Sequence, residues 1–360
     1  MVGSDGMLRS GELDLEAVLG QIEEQLTAFL GGKGHAAIEE RLPGEAVEVL
    51  GSFLRAGGKR IRPLLCVVGW CAAGGEGEVG PVVRAAASLE LFHAFALIHD
   101  DLMDNSEIRR DQPTVHRALA ARHEGRRDAA RFGASAAMLL GDLALVWSDE
   151  LLRTAGVSRH QLAAAQSVVD VMRSEVMYGQ YLDLLATGRP TTDTARAMKV
   201  IRYKSAKYTI ERPLHLGASL AGAEPALHAA LSEFALPAGE AFQLRDDLLG
   251  VFGDPAETGK SRLDDLREGK DTVLITLAMR RADPAQLQLL RTLLGDPELD
   301  ESSAASIRHV LDATGARATV EQLIRDRVAQ AHQALGRGRF PPAATGALQE
   351  IAHAVTARTR

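Results

Sequence analysis

The chain has 360 residues, 46% of them apolar, enough for one large core, and its 41 Lys plus Arg against 48 Asp plus Glu leave a formal net charge of -7. An acidic chain lacks the broad positive field of a general nucleic-acid binder, so no nucleic-acid partner is expected and any phosphate recognition has to be local. Its two cysteines, Cys66 and Cys71, sit in an apolar stretch without disulfide-framework or zinc-type spacing, which fits a reducing cytoplasm.

Along the chain, Met1 to Glu16 show neither a basic start with an apolar core nor a small-residue cleavage site, and residues 1–12 are expected to be flexible. Apolar residues recur three and four apart over long windows such as 162–185 and 226–249, and no alternating run with hairpin turns competes with them. The reading is all-α, with a single helical domain over residues 13–355. Turn-rich breaks at 31–35, 74–81, 188–192, 253–269 and 336–342 are expected to separate the helices. The most apolar windows, 82–98 and 132–147, are interrupted by Arg84, Glu90, His93 and Asp142 before reaching the roughly 20 clean residues of a membrane span, so no span is expected.

The first chemical motif is Gly57-Gly58-Lys59-Arg60-Ile61-Arg62-Pro63. Lys59 and Arg62 are three apart and can face the same way at a helix start, where backbone N–H groups also favour anions. Next comes His99-Asp100-Asp101-Leu102-Met103-Asp104 at the end of a long apolar helix. Spacing of four stacks Asp100 and Asp104 on one helix face, with Asp101 about 100° round. Such clustered carboxylates repel, and a hard cation such as Mg2+ relieves them by bridging to phosphate oxygens; the plainer explanation is a solvated helix end. Arg109-Arg110 follows directly.

Further along, Lys204 and Lys207 lie on a predicted helix around 203–210, and a second acidic pair, Asp246-Asp247, follows the apolar helix 234–244. Lys260 and Lys270 occupy the glycine-rich loop beyond it. Each cation alone reads as a solvated charge, whereas their combination with two acidic pairs indicates diphosphate. No nucleotide-binding glycine loop and no Gly-x-Ser-x-Gly turn is present, so neither nucleoside triphosphates nor a serine hydrolase is indicated. His93 and His99 read by default as hydrogen-bonded core or cavity histidines.

Together these motifs resemble the trans-isoprenyl diphosphate synthase family, the polyprenyl synthetases that include farnesyl and geranylgeranyl diphosphate synthases. The likeness covers residues 40–300 in order: Gly58-Lys59-x-x-Arg62, Asp100-Asp101-x-x-Asp104 with Arg109-Arg110, Lys204-Ser205, Phe242-Gln243-x-x-Asp246-Asp247, Gly259-Lys260 and Gly269-Lys270. The resemblance implies a bundle of about a dozen helices around a central cavity, usually a homodimer. It also implies condensation of isopentenyl diphosphate with an allylic diphosphate, assisted by up to three Mg2+ ions. By position, Lys59, Arg62, His93 and Arg110 resemble the isopentenyl diphosphate site, and Arg109, Lys204, Ser205, Gln243, Lys260 and Lys270 the allylic site. Asp100, Asp104 and Asp246 resemble metal ligands, and Asp100, Asp101, Asp104, Arg109, Lys204, Asp246 and Lys260 the catalytic set.

One position departs from the pattern: the third acid of the second motif is Gly250, and Asp254 is a possible substitute. Chain length in this family depends on side chains one or two helical turns before the first aspartates, here Phe92, Phe95 and Ala96. Phe95 beside small Ala96 resembles the geranylgeranyl pattern, implying a C20 product; farnesyl or longer products are the alternatives. A class I terpene cyclase would not need the second diphosphate pocket implied by Lys59 and Arg62. A non-catalytic regulatory subunit is disfavoured by intact Asp100, Asp101, Asp104, Arg109 and Lys204.

Overall fold

Alanine and leucine lose little side-chain freedom in a helix. The computed structural model, which describes residues 8–9, 12–255 and 261–356, is accordingly helical along most of that length, and the all-α reading holds. Its strands are two antiparallel ladders, Leu8–Arg9 with Glu12–Leu13 and Ile108–Arg109 with Gln112–Pro113, two residues each and too short to leave an alternating pattern. The described chain divides into two compact units, each taken by itself below.

The first unit comprises Met1–Gln166 with Leu216–Ala223 and Pro341–Ala347. It contains α1 (Leu15–Glu39), α2 (Glu45–Arg55), α3 (Ile61–Ala72), α4 (Gly80–Met103), α5 (Val115–Arg122) and α6 (Ala129–Arg153). Helix α4 packs against α1, α3 and α6. Ala85, Ala86, Ala87, Leu89, Leu91 and Phe92 are all fully buried, so this helix is covered all round rather than along one stripe. That burial explains why its acids appear only at the C-terminal end. The Ser148 hydroxyl donates to the Ser88 carbonyl at 2.8 Å, tying α6 to its middle.

The break expected at residues 31–35 does not occur, because α1 runs through it. Lys33 pairs with Glu150 at 2.5 Å and lies over the rings of Phe29 and Trp147. Tertiary contacts thus override a glycine penalty of roughly 1 kcal/mol per residue. By length and composition α4 and α6 both resemble membrane spans, with mean hydropathy 1.4, but 72% of the α4 window is buried within the protein against 28% for α6.

The second unit comprises Ser167–His215, Glu224–Phe340 and Leu348–Arg360. Helix α7 (Arg159–Ala186) leads into it, followed by α8 (Thr194–Val200), a π-helical segment (Ile201–Glu211), α9 (Arg212–Leu220) and α10 (Pro225–Phe252). Beyond them lie α11 (Asp264–Glu268), α12 (Val273–Arg281), α13 (Pro284–Leu293), α14 (Glu301–Ala313), α15 (Ala316–Arg337) and α16 (Pro342–Thr356). Leu244, Leu248, Leu274, Leu290, Ile307, Leu311 and Val320 form the centre of its core.

The segment around Lys204 was expected as an ordinary α-helix, and its wider π turns have identifiable causes. Pro213 has no N–H and its ring crowds the carbonyl four residues earlier, so the regular ladder cannot continue through Thr209. Neighbouring backbones also press on it: a Cβ on Gly179 of α7 would lie 2.3 Å from the Lys204 nitrogen, and one on Gly239 of α10 2.6 Å from the Ala206 Cα. Glu175 on α7 accepts from Arg212 Nε at 2.7 Å and from Lys207, and Glu240 on α10 accepts from Arg202 Nη2 at 2.6 Å. These pairs pin the widened segment from both sides.

Candidate active site

Residues 57–62 form a turn that only glycine enters without strain at its start, with φ of 100° at Gly57 and 139° at Gly58. Helix α3 begins at Ile61 with Arg60 as N-cap, so Lys59 precedes the helix and Arg62 sits in its first turn; the two are not on one helix face as expected. The cationic cluster is nevertheless real. The partly buried His93 imidazole is held well below its usual range by burial first and then by Arg62, Arg110, Arg109 and Arg60. Positive charge that disfavours protonation of this ring also favours an anion nearby, and arginine does not lose its proton to relieve it.

Arg110 arrives on the turn of the Ile108–Pro113 hairpin. Its φ is 54° and that of Asp111 is 58°, the arrangement of a two-residue type I′ turn without the usual Asn or Gly. Left-handed backbone at such residues costs roughly 1–2 kcal/mol each, strain of the kind that collects at functional sites. The Arg110 Nη1 donates to the Gly57 carbonyl, joining this turn to the glycine turn.

At the end of α4, Asp104 is the C-cap and Asp100 lies one turn before it, so both carboxylates share a face as the spacing predicts. Asp101 has a different environment. It is 1% exposed, and Arg109 Nε reaches its two oxygens at 2.8 and 2.9 Å. Arg109 Nη2 also stands 3.4 Å from Asp100. Asp101 thus orients Arg109, while Asp100 and Asp104 carry the other two carboxylates at this helix end. Phe92 and Phe95 are buried below them with ring centroids 5.3 Å apart, Phe95 meets the His99 ring edge-on at 4.7 Å, and Ala96 is partly exposed. His99 bonds through Nε2 to the Met138 carbonyl at 3.1 Å, the structural role expected of it.

In the second unit, Lys204 donates to Asp183 on α7 at 2.6 Å, beside buried Ser205. Asp183 was missed in the sequence because one acid on a long polar-faced helix is indistinguishable from a solvated charge. Gln243 donates to Asp247 at 2.8 Å. Burial pushes the Asp247 carboxyl up to about 8, reinforced by Asp265 and Asp246 and opposed by the Gln243 hydrogen bond. The more accessible Asp246 is the better cation ligand of the pair.

Opposite Gly250 stands Asp265 on α11: a Cβ at 250 would lie 2.1 Å from its Oδ2. It is therefore Asp265, not the exposed Asp254, that places a carboxylate where the third acid would project. Lys270 pairs with Asp265 at 3.1 Å and with Glu268 at 2.9 Å. Lys260 and Gly259 lie outside the described residues. Among the described residues no three His, Cys, Asp or Glu side chains are already gathered around a metal position.

A model of the polyprenyl synthetase family matches residues 45–312. The chain belongs to the polyprenyl synthetase family. It is 32% identical over 301 residues to geranylfarnesyl diphosphate synthase of Aeropyrum pernix, covering 83% of this chain and 88% of the relative. Identity is also 32%, over 304 residues, to (2E,6E)-farnesyl diphosphate synthase of Mycobacterium tuberculosis, covering 84% and 80% respectively. The crystal structure of geranylgeranyl pyrophosphate synthase from Corynebacterium glutamicum, complexed with isoprenyl diphosphate and magnesium, superposes with TM-score 0.92 at 42% identity, covering 96% of this chain and 100% of that one. This polyprenyl synthetase is accordingly a trans-prenyltransferase.

Removing Arg109 leaves Asp101 buried without its fork. Arg109→Ala is expected to cost roughly 3–5 kcal/mol in urea unfolding, the usual effect of orphaning a buried charge, and Arg109→Lys should recover only part of that because an ammonium cannot span both oxygens. A loss below about 1 kcal/mol, the range of exposed ion pairs, would contradict the assignment.

Proposed function

We propose that this prenyltransferase joins isopentenyl diphosphate to allylic diphosphates and stops at the C20 product, geranylgeranyl diphosphate. The observation that carries the reading is the group of arginines around neutral His93, whose positive charge suits an anion, alongside an aspartate face suited to metal-bound diphosphate. Lys59, Arg62, His93 and Arg110 hold isopentenyl diphosphate. Arg109, Lys204, Ser205, Gln243, Lys260 and Lys270 hold the allylic diphosphate.

The donor set fits magnesium: Asp100 and Asp104 offer hard oxygens on one face, Asp246 offers another, and no soft ligand competes. Asp100, Asp104 and Asp246 would hold up to three such ions, with diphosphate oxygens completing the coordination. When bound, magnesium neutralises the diphosphate as its bond to the allylic carbon breaks. Lys204, steadied by Asp183, and Arg109, steadied by Asp101, each offer fixed positive charge suited to a diphosphate. The isopentenyl alkene then attacks the allylic carbon, one carbon–carbon bond forms, and the proton it gives up is accepted by the departed diphosphate. This sequence needs no nucleophile from the protein.

Incubating the purified protein with labelled isopentenyl diphosphate and dimethylallyl, geranyl or farnesyl diphosphate, with and without magnesium, tests the reading. A magnesium-dependent linear C20 diphosphate is expected. A cyclic hydrocarbon would assign a terpene cyclase instead, and no product from any primer would point to a regulatory subunit.

The C20 limit rests on Phe95 beside small Ala96 and on the Corynebacterium glutamicum neighbour, and the contact between the Phe92 and Phe95 rings forms the stop. Phe92→Ala or Phe95→Ala is expected to shift the main product to C25 or longer, since either change opens room for at least one more isoprene unit. Unchanged length on chromatography would refute the ruler.

The working form is proposed to be a homodimer. In one unit α6 leaves Met138, Leu139 and Val146 more than half exposed, and in the other α7 exposes Val171, Tyr178, Tyr181 and Leu185 along one stripe. Sedimentation should give twice the monomer mass, reduced to monomer by Tyr181→Glu with Leu185→Glu; a monomeric wild type at micromolar concentration would overturn it.

A further inference from the structure

Within the run Lys59-Arg60-Ile61-Arg62, three cations stand in four residues, yet they differ in placement. Lys59 is exposed and Arg62 partly so, whereas Arg60 is only 4% exposed. Its guanidinium turns into the protein. Nε donates to Glu23 on α1 at 2.6 Å, Nη1 to Glu90 on α4 at 2.9 Å, and Nη2 to the Leu54 carbonyl at the end of α2 at 2.5 Å. One side chain ties three helices to the turn that starts α3.

That fixation has a local consequence. Arg60 takes left-handed backbone, φ 46° and ψ 35°, a conformation that a non-glycine residue holds only when its surroundings enforce it. Gly57 and Gly58 just before it restrict the chain least of all residues. The direction in which Lys59 leaves the turn is therefore governed by the anchored residue after it.

Glu90 has a second relation to the cluster. It lies three residues before His93 on α4, almost fully buried, and its carboxylate also acts on Arg110 through space. Left loose, such a carboxylate would pair with Arg62 or Arg110 and cancel the charge intended for an anion. Its bond to Arg60 holds it away from that role.

We propose that Arg60, together with Glu90, is a positioning residue for isopentenyl diphosphate: it fixes the backbone that presents Lys59 and Arg62 and keeps Glu90 from neutralising the binding cations. The inference rests on the assignment of Lys59 and Arg62 to that diphosphate. A buried ion pair alone is no evidence of such a role, because an apolar replacement is often neutral for stability; the proposal concerns affinity.

The test is steady-state kinetics of the full-length enzyme, varying isopentenyl diphosphate at saturating allylic substrate and then the reverse. Arg60→Met is expected to raise KM for isopentenyl diphosphate about tenfold while KM for the allylic substrate stays within about twofold; Glu90→Gln, which keeps an acceptor for Arg60 but removes the charge, should shift it less than about twofold and lessen the rise when added to Arg60→Met. Arg60→Lys should recover part of the loss. In a Lys59→Ala/Arg62→Ala background, Arg60→Met should add less than about twofold, since it acts through the residues already removed. Equal rises in both KM values, a full additional loss in that background, an unchanged KM in Arg60→Met, or a rise in Arg60→Met that Glu90→Gln does not lessen would overturn the proposal. Should Lys59→Ala/Arg62→Ala itself leave KM for isopentenyl diphosphate unchanged, the assignment of the pocket fails, and the positioning role with it.

Discussion

Like charges held close together at the ends of buried helices are the constraint around which this enzyme is arranged. Four arginines crowd one neutral imidazole in the first unit, and Asp247 is pressed by two further carboxylates in the second. Neither arrangement is favourable by itself. Packing far from the charges maintains both: the all-round burial of α4, and the hydrophobic cluster around Leu244 and Leu248 on α10. In the proposed reaction diphosphate and magnesium, being of opposite sign to the groups that would receive them, would relieve the crowding on binding, and the repulsion tolerated in the free protein would become selectivity for charged ligands.

A consistent division of labour runs through the charged residues. Asp101 orients Arg109, Asp183 orients Lys204, Gln243 bonds Asp247, and Glu23 with Glu90 orients Arg60. Asp101 and Asp183 are each more buried than the cation they orient, whereas Arg60 is itself the buried member of its group. Such pairs cost little to reorganise during the reaction, because the dipoles and charges are aimed before the substrate arrives. The π-helical segment serves the same end through the backbone: Gly179 and Gly239 let two helices close on it, and Lys204 and Ser205 are carried where that close approach puts them.

Much of the fold and part of the site were legible in the sequence. Helix character followed from composition and from apolar spacing, and the shared face of Asp100 and Asp104 followed from helical periodicity alone. The glycine pair 57–58 marked a turn that proved to need positive φ. Reading failed where a contact distant in sequence overrode a local signal. Three glycines at 31, 32 and 34 signalled a break, but Lys33 packed on Phe29 and Trp147 keeps α1 whole. The hairpin carrying Arg110 left no turn signal because its turn is built from Arg110 and Asp111, residues that rarely adopt that backbone.

What the sequence by itself determined, then, was chemical inventory and local geometry: an all-helical chain, aspartates stacked at a spacing of four, and cations near them, since each depends only on residues within a few positions of one another. The tertiary structure alone decided which member of each charged run faces inward. It turned Arg60 and Asp101 into the protein and left Lys59 exposed and Asp100 partly so, widened the helix at Lys204, and set Asp265 against Gly250 in place of a missing acid. The physical reason is that burial and ion pairing are settled by partners from 8 to 37 residues away, and neither spacing nor composition encodes which partner arrives.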